Sequence, residues 1–403
     1  PLLADSCRRS ARETRLLLGT KRSLLSDVRM SANDAVDGST AGIAMCHGGY
    51  LNRQKGEPPK MDVSTIGLDI AKSVFQVHGI DAAGQVVVRR QLRRRQLLGF
   101  FEKLAPCLVG IEACATAHHW GREIAALGHE VRLMPAHYVK AYVKRGKNDA
   151  TDAEAICEAV QRPTMRFVGL KSPKQQSLLM LHRTRELLVR QRTMLVNAIR
   201  GHMAEFGIVT RVGLPQLKEL LAVIADRDDH RLPPDARACL ESLGRQFLSL
   251  NEEICAADKR LQAGHRSSEL SRRLATIPGI GPITASALVA SITDPSAFRT
   301  GREMAAWIGL VPRQNSTGGK PRLGKISKQG DQYLRWLLVA GAMAVIRHAK
   351  RRGTANHPWL DDLIARRPTK VAAVALANKM ARMAWALLSH GGAYRQPVIT
   401  ASL

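Results

Sequence analysis

Apolar and polar stretches alternate between residues 66 and 165 at lengths that predict an α/β domain. Runs rich in β-branched residues at 66–79 and 85–92 predict two long strands that form a hairpin. Helical and strand-like patterns alternate after them, which is typical of a mixed sheet covered by helices. In chain order these patterns are a basic helix at 95–104, a strand at 108–113, a helix at 117–127, a strand at 131–135 and a helix from residue 151.

A different period governs the middle of the chain. Between residues 238 and 261 the apolar positions alternate spacings of three and four, as in the seam of a coiled coil. A partner helix is predicted at 173–206, because Leu181, Leu188 and Leu195 are seven apart, and residues 207–234 hold Gly and Pro that break helices. The pattern fits a hairpin that packs on itself and a dimerisation arm equally well. The seam residues are Leu240, Leu243, Phe247, Leu250, Ile254, Ala257 and Leu261.

The third region begins with two short apolar helical patterns around a tight turn at 278–282. Small residues in such a turn, here Gly279 and Gly281, let backbone amides approach a phosphate, as in a helix-hairpin-helix element that grips DNA without reading its sequence. The alternative is a plain turn between two helices.

The charge of the chain predicts a polyanionic partner. There are 61 Lys and Arg against 34 Asp and Glu, a formal net charge of +27, and such a field attracts nucleic acid. Residues 313–352 carry ten basic side chains and one acid, which favours phosphate contacts over an ordinary solvated face. The cations are Arg313, Lys320, Arg322, Lys325, Lys328, Arg335, Arg347, Lys350, Arg351 and Arg352.

Ser316 lies in the polar loop of this basic segment, next to Thr317 and two glycines. A hydroxyl beside glycines is ordinarily a turn or cap residue. Among so many cations it is also a candidate nucleophile, because its neighbours would stabilise the negative charge that develops during attack on a phosphate.

Four carboxylates have the order and setting of a site for two metal ions: Asp69, Glu112, Asp149 and Asp152. Phosphodiester chemistry commonly uses a pair of divalent cations, and Mg²⁺ requires oxygen ligands. An Asp within an apolar strand, as Asp69 is, is costly unless it is paired or binds metal. Asp149 and Asp152 share one face at the start of a helix, where helix capping is the alternative interpretation.

Other features narrow the class of protein. Seven scattered cysteines without CxxC spacing argue against a disulfide framework or a structural zinc site. The longest apolar run, 336–346, is too short to span a bilayer, so no membrane partner and a cytoplasmic location are expected. We interpret the first 60 residues as a disordered segment or translated leader, with Met61 as the natural start.

Five motifs in order give the chain a family resemblance: MDVSTIGLDIAKSVFQVHGID, GIEACATAHHW, KNDATDAEAI, IPGIGPITA and GLVPRQNSTGGKPRLGKISKQGDQYLR. Together they resemble the DEDD insertion-sequence transposases, and the match runs from Met61 to about Tyr394. The resemblance implies an RNase H-like (RuvC-like) domain at 61–165, a coiled-coil linker at 166–268 and a mostly helical transposase domain at 269–395.

The same resemblance implies Asp69, Glu112, Asp149 and Asp152 as Mg²⁺ ligands and a serine nucleophile for DNA recombination. The loop offers Ser316, Thr317 and Ser327 for this role, and we choose Ser316 because it follows the Arg-Gln-Asn lead-in and precedes the glycines. It also implies a bridge RNA that pairs with donor and target DNA, and a homo-oligomer, dimer or tetramer, in the nucleoid of a bacterium. Expected phosphate contacts are Gly279, Gly281, Arg313, Lys320, Arg322, Lys325 and Lys328. Two other functions fit the residues: a metal-dependent nuclease or junction resolvase, and a non-catalytic DNA-binding protein.

Overall fold

A five-stranded sheet organises the first part of the computed structural model, which describes residues 62–144, 149–353 and 358–395. The predicted leader, residues 1–60, lies outside the described residues. The strand order is β3-β2-β1-β4-β5; the first three strands are antiparallel neighbours, and β4 and β5 run parallel to β1. The strands are β1 (Thr65–Ile70), β2 (Val74–Ile80), β3 (Val86–Arg93), β4 (Leu108–Glu112) and β5 (Glu130–Met134).

The single long strand predicted at 66–79 is wrong, because the chain turns between Ile70 and Val74 to form β1 and β2. The turn residues Ala71, Lys72 and Ser73 are exposed. They include neither Gly nor Pro, so the apolar pattern runs through the break without a turn signal. Because the chain turns after Ile70, Asp69 is the second-last residue of β1 and not an interior residue of one long strand.

Short helices connect and cover these strands. The basic helix predicted at 95–104 is a 3-10 turn followed by a five-residue helix, and the helix predicted from residue 151 begins at Asp149. Leu68, Phe75 and Ile111 are fully buried between the sheet and its helices. The helices are α1 (Leu97–Phe101), α2 (Ala117–Ala126), α3 (Ala136–Val139) and α4 (Asp149–Val160).

Two long helices, α5 (Pro173–Ala204) and α7 (Pro234–Ser267), form an antiparallel arm, and α6 (Leu214–Ala225) packs near its tip. Arg185 pairs with Asp258, and the guanidinium of Arg192 donates to Asn251 Oδ1 at 2.9 Å. The predicted seam therefore packs against a helix of its own chain. Its buried members are Leu240, Phe247, Ile254, Ala257 and Leu261.

The C-terminal part is mostly helical and has one apolar core. Its last helix, α13 (Thr369–His390), is long and apolar enough to cross a membrane by length and composition, but its face of Ala and Met lies in this core. The elements are α8 (Glu269–Leu274), α9 (Pro282–Ser291), α10 (Gly301–Ile308), the hairpin β6 (Pro312–Gln314) and β7 (Leu323–Ile326), α11 (Gln332–Arg352), α12 (Pro358–Arg366) and α13 (Thr369–His390).

A buried polar cluster joins the arm to this C-terminal part. His182 of α5 is 1% exposed, and its ring nitrogens lie 3.1 Å from the hydroxyl of Tyr333 on α11 and 3.1 Å from that of Ser286 on α9. Burial lowers the pKa of His182 to about 4, because a protonated ring would lose its hydration. The neutral ring therefore fixes the orientation of the arm.

Acid sensitivity should follow from His182. In the unfolded chain it gains a proton near pH 6.5, whereas in the folded protein it does so only near pH 4. The folded state therefore loses stability as pH falls from 6.5 to 4. We expect His182→Gln to reduce this loss by roughly 2–3 kcal/mol, measured by urea unfolding across that range. The control is His202→Gln, an exposed position on the same helix. Parallel curves for wild type and His182→Gln would contradict the expectation.

Candidate active site

The acid site begins where two parallel strands end. Leu68 of β1 is paired with Ile111 of β4, so the next residues, Asp69 and Glu112, lie side by side at the same edge of the sheet. Both carboxylates are half-buried. Strand pairing alone therefore brings together two acids that are distant in the sequence.

Two glycines allow α4 to lie close to these strands. A side chain at Gly67 would collide with the carbonyl of Ala153 and the amide of Cys157, and one at Gly110 would lie 2.7 Å from Val160 Cβ. Each glycine precedes an acid by two residues and shares its face of the strand. The spacings Gly67-x-Asp69 and Gly110-x-Glu112 were visible in the sequence, although we did not predict a role for the glycines.

This close packing places the first turn of α4 over the end of β1. Carboxylate oxygens of Asp69, Asp149 and Asp152 lie within 4.8 Å of one another. Such a set of oxygen donors suits a hard divalent cation such as Mg²⁺. Glu112 is not one of these three, but it borders them: burial and the charge of Asp152 raise its pKa.

The electrostatics of the cluster favour a bound cation. The pKa of Asp69 is raised to about 6, first by burial and then by the charges of Asp152, Asp149 and Glu112. Four carboxylates that repel one another in a partly desolvated place are unfavourable when all are ionised. A divalent cation bound among Asp69, Asp149 and Asp152 would remove that repulsion, so the donor set fits a metal.

Gly67→Ala should damage this site without touching a carboxylate. The added methyl group would force α4 away from β1 and separate Asp149 and Asp152 from Asp69, so we expect Mg²⁺ to bind at least roughly tenfold more weakly. Calorimetric titration with Mg²⁺ measures this. Gly99→Ala is the matched control, since a methyl group there meets nothing within 4 Å. Equal Mg²⁺ affinity in both variants would show that helix packing does not position the ligands.

Ser316 lies in the tip of the β6–β7 hairpin. Its Oγ accepts a hydrogen bond from the amide of Arg322 at 3.0 Å and another from the side-chain amide of Gln314 at 3.2 Å. Gly318 and Gly319 have φ of +55° and +74° and make the turn. Both contacts of Ser316 are donors, so they would stabilise its oxygen as it loses a proton.

The predicted cations are distributed along this hairpin: Lys320 and Arg322 lie near its tip, Arg313 and Lys325 lie in its strands, and Lys328 follows β7. Arg313, Lys320, Arg322, Lys325 and Lys328 are all exposed, and within the described ranges none of them forms an ion pair with a carboxylate. Their charges are therefore available to a polyanion.

The acids and the serine belong to different parts of the chain. The hydrogen bonds of Ser316 Oγ stay within the hairpin, and among the residues that the structure describes none joins it to Asp, Glu or His. The structure thus brings three of the predicted acids together, with Glu112 beside them, and places the five cations along the hairpin that carries Ser316. It does not join the two sets.

The segment predicted as a helix-hairpin-helix element consists of α8, a turn and α9. Gly279 has φ of +89°, and a side chain there would lie 2.8 Å from Met380 Cε and 3.1 Å from the carbonyl of Gly341. Its role in the structure is close packing of the turn against α11 and α13. Gly281 is exposed with open space around it, so it is the glycine of this pair at which a phosphate could approach.

The fold and the acid cluster define a class of protein: a mixed α/β domain, consistent with an RNase H-like fold, joined to a basic helical domain that suits DNA. Two family models match the chain. One, described as a transposase of the DEDD IS110 type, covers residues 66–208, and the other, described as "Transposase IS116/IS110/IS902 family", covers residues 271–357. The first range contains all four acids and the second contains Ser316.

Related sequences match this chain over nearly their whole length. A probable family 20 transposase of Pseudomonas aeruginosa is 51% identical over 336 residues, 83% of this chain and 99% of the relative. A putative transposase of Sinorhizobium fredii is 47% identical, covering 90% of this chain and 93% of the relative. The transposase for insertion sequence element IS1328 of Yersinia enterocolitica is 39% identical, with shares of 82% and 98%.

The chain belongs to the IS116/IS110/IS902 family of transposases. It is the transposase of an insertion sequence, an enzyme that acts on DNA. The resemblance found in the five motifs is confirmed, and the interpretation as a non-catalytic DNA-binding protein is wrong.

Proposed function

We propose that this transposase cuts and rejoins DNA by phosphoryl transfer, with Ser316 as nucleophile and Mg²⁺ held by Asp69, Asp149 and Asp152, with Glu112 beside them. The observation that carries the proposal is the approach of three carboxylates to within 4.8 Å at the end of β1. Family membership supports a metal-dependent reaction on DNA, and the uncompensated cations around Ser316 support a phosphate there.

In the first step the Oγ atom of Ser316 attacks a backbone phosphorus. An Oγ–P bond forms, the bond from phosphorus to one deoxyribose oxygen breaks, and that oxygen leaves as a hydroxyl that carries the serine proton. In the second step a deoxyribose hydroxyl of another strand attacks the serine phosphodiester and releases Ser316 with its proton. Each bond broken is replaced by one of the same kind, so rejoining needs no external energy source.

The residues of the hairpin have defined tasks in this scheme. The amides of Arg322 and Gln314 stabilise the serine oxygen as its charge grows, and the neighbouring side chains of Lys320 and Arg322 hold the phosphate oxygens. When bound, Mg²⁺ would supply charge neutralisation at the transferring phosphate.

A base for Ser316 is still required, because a serine hydroxyl is almost un-ionised near neutral pH. We infer that assembly supplies it: in a homo-oligomer, dimer or tetramer, the acid site of one subunit would meet the hairpin of another.

The proposal also includes a structured bridge RNA that pairs with donor and target DNA. The net charge of +27 supports the binding of both DNA and RNA. The place of action is the nucleoid in the bacterial cytoplasm.

A metal-dependent endonuclease or junction resolvase is the second candidate. It is favoured by one observation: the aspartate cluster is assembled within one chain, whereas the described contacts of Ser316 include no base. In that reaction water attacks, and Ser316 only contacts a phosphate.

The two candidates differ in one product. Incubating the protein with its flanking non-coding RNA and insertion-sequence ends, followed by a denaturing gel, should show a protein–DNA adduct that survives denaturant if Ser316 is the nucleophile. Free DNA ends without any adduct, over a time course that reaches complete cleavage, would favour the nuclease.

Salt dependence tests the basic hairpin. Replacing Lys320 and Arg322 with Ala should weaken binding of unrelated duplex sequences by similar factors and reduce the slope of log affinity against log salt by roughly one unit per lost phosphate contact. Fluorescence anisotropy from 50 to 300 mM salt, roughly the range over which such contacts weaken, measures the slope. Lys259→Ala with Arg260→Ala, two exposed positions on α7, removes the same charge elsewhere. Equal slopes in wild type and the hairpin variant would show that these cations are only solvated.

A further inference from the structure

A second concentration of positive charge, outside the serine hairpin itself, lies in an open cleft between α10, α12 and α13. The cleft has a volume of about 610 Å³, within the range of small-molecule sites. The residues used here are Arg302 from α10, Trp359 from α12, and Asn378, Lys379 and Arg382 from α13.

The cations of this cleft have no ion-pair partner among the residues that the structure describes. Within the described residues, none of Arg302, Lys379 and Arg382 forms an ion pair with a carboxylate, and no residue that lines the cleft is acidic. Asp361 and Asp362 share α12 with Trp359 but are not in the lining. Three like charges around one concave surface repel one another, so the cleft is electrostatically prepared for an anion.

Trp359 gives the cleft an aromatic wall beside these cations. It is 38% exposed, and the ammonium group of Lys379 lies 4.1 Å from the centroid of its ring. The cation–π contact holds Lys379 at the cleft without neutralising it. A flat aromatic surface next to guanidinium and ammonium groups is the combination that binds unpaired nucleotides, since the ring contacts the base and the cations contact the phosphates.

The cleft is also connected to the serine hairpin. The side-chain amide of Asn378 donates to the carbonyl of Leu310 at 3.2 Å, and β6 begins two residues later, at Pro312. A residue that lines the cleft therefore contacts the segment that leads into the hairpin carrying Ser316.

We propose that the cleft between α10, α12 and α13 binds an unpaired nucleotide, with Trp359 against the base and Arg302, Lys379 and Arg382 on the flanking phosphates. The choice of nucleic acid as ligand rests on the proposed function, but it does not depend on Ser316 being the nucleophile. The unpaired segment could come from DNA opened for strand exchange or from a single-stranded part of an RNA, and both offer the same base and phosphates.

Binding is tested on the full chain carrying Ser316→Ala, so that failure of the serine chemistry cannot affect the result. The ligands are a single-stranded DNA oligonucleotide, an RNA oligonucleotide of the same sequence and a DNA duplex. Trp359→Ala should weaken binding of a single strand by roughly tenfold, and Trp359→Phe should restore most of it. Duplex affinity should change less than twofold. Loss with DNA alone, with RNA alone or with both supports the cleft and identifies the source of the strand.

The cations are tested separately from the ring. Arg302→Gln with Arg382→Gln should reduce the salt slope for the single strand by about 1.4, since each lost phosphate contact contributes about 0.7. Lys259→Gln with Arg260→Gln is the charge-matched control on the arm. Unfolding midpoints within two degrees of the parent ensure that each variant is folded; where Trp359→Ala fails this check, Trp359→Leu replaces it. Single-strand affinities within twofold of the parent, or equal losses for single strand and duplex, would overturn the proposal.

Discussion

Replacing Ser316 with Ala is expected to eliminate both the covalent protein–DNA adduct and the recombinant product, by roughly three orders of magnitude or more. Removing Oγ removes the nucleophile outright. DNA and RNA affinity should stay within twofold, because Lys320, Arg322 and the other cations remain. Ser316→Cys should retain a trace of activity, since a thiolate is a competent nucleophile of slightly different geometry. Denaturing gels for the adduct and amplification across the new junction measure the two products.

The neighbouring hydroxyls provide the controls. Thr317 and Ser327 are in the same segment, and their backbones bond within it, Thr317 to Lys320 and Ser327 to Val311. If Ser316 is the nucleophile, Thr317→Ala and Ser327→Ala should still form the adduct, because alanine keeps these backbone bonds and the hydroxyl of Ser316 is unchanged. Loss of the adduct in Ser327→Ala alone would keep the mechanism and move the nucleophile. Cleavage that persists in Ser316→Ala, with free ends and no trapped protein, would favour hydrolysis.

Asp69→Asn should abolish strand exchange about as completely as Ser316→Ala does. It should leave nucleic-acid binding nearly intact, because binding depends on the cations. It should also stabilise the metal-free protein. The pKa of Asp69 in the fold, about 6, is above its value near 4 in the unfolded chain. The folded protein therefore loses stability as pH rises from 4 through 6. Above pH 6 the ionised carboxylate of Asp69 opposes folding.

In EDTA the melting temperature of Asp69→Asn should exceed that of wild type at pH 8, and the difference should vanish near pH 4. Addition of Mg²⁺ should stabilise wild type and leave Asp69→Asn unchanged. Asp362→Asn, an exposed carboxylate on α12, controls for the loss of one negative charge. Full strand exchange in EDTA, or by Asp69→Asn, would contradict the metal site.

Much of the first domain was predictable, because apolar runs of strand length indicate buried strands and a carboxylate in such a run stands out. Asp69 lies in an apolar run, where a carboxylate is costly unless it is paired or binds a metal. Glu112, at the end of the next parallel strand, has the same kind of setting. The turn between β1 and β2 was not predictable, since Ala71, Lys72 and Ser73 carry no turn signal. The place of Gly67 against α4 is a tertiary contact that no local pattern records.

The cleft at Trp359 could not be predicted for a related reason. Arg302, Trp359 and Arg382 come from three helices, and each alone resembles an ordinary surface residue. Ser316 is the opposite case: its cationic setting is local in sequence and was predicted. How Ser316 would be activated was not predictable, because its described hydrogen bonds stay within the hairpin and include no Asp, Glu or His.

In the proposed reaction Ser316 becomes covalently joined to DNA, and this step needs the aspartate cluster. The most direct measurement is to trap the adduct with insertion-sequence DNA and flanking RNA in Mg²⁺, digest it with protease and nuclease, and locate the modified residue by mass spectrometry. A nucleotide phosphodiester on Ser316, absent in EDTA and in Asp69→Asn, is the predicted result. A modified residue outside the β6–β7 hairpin, or complete recombination with no modified peptide, would contradict the account.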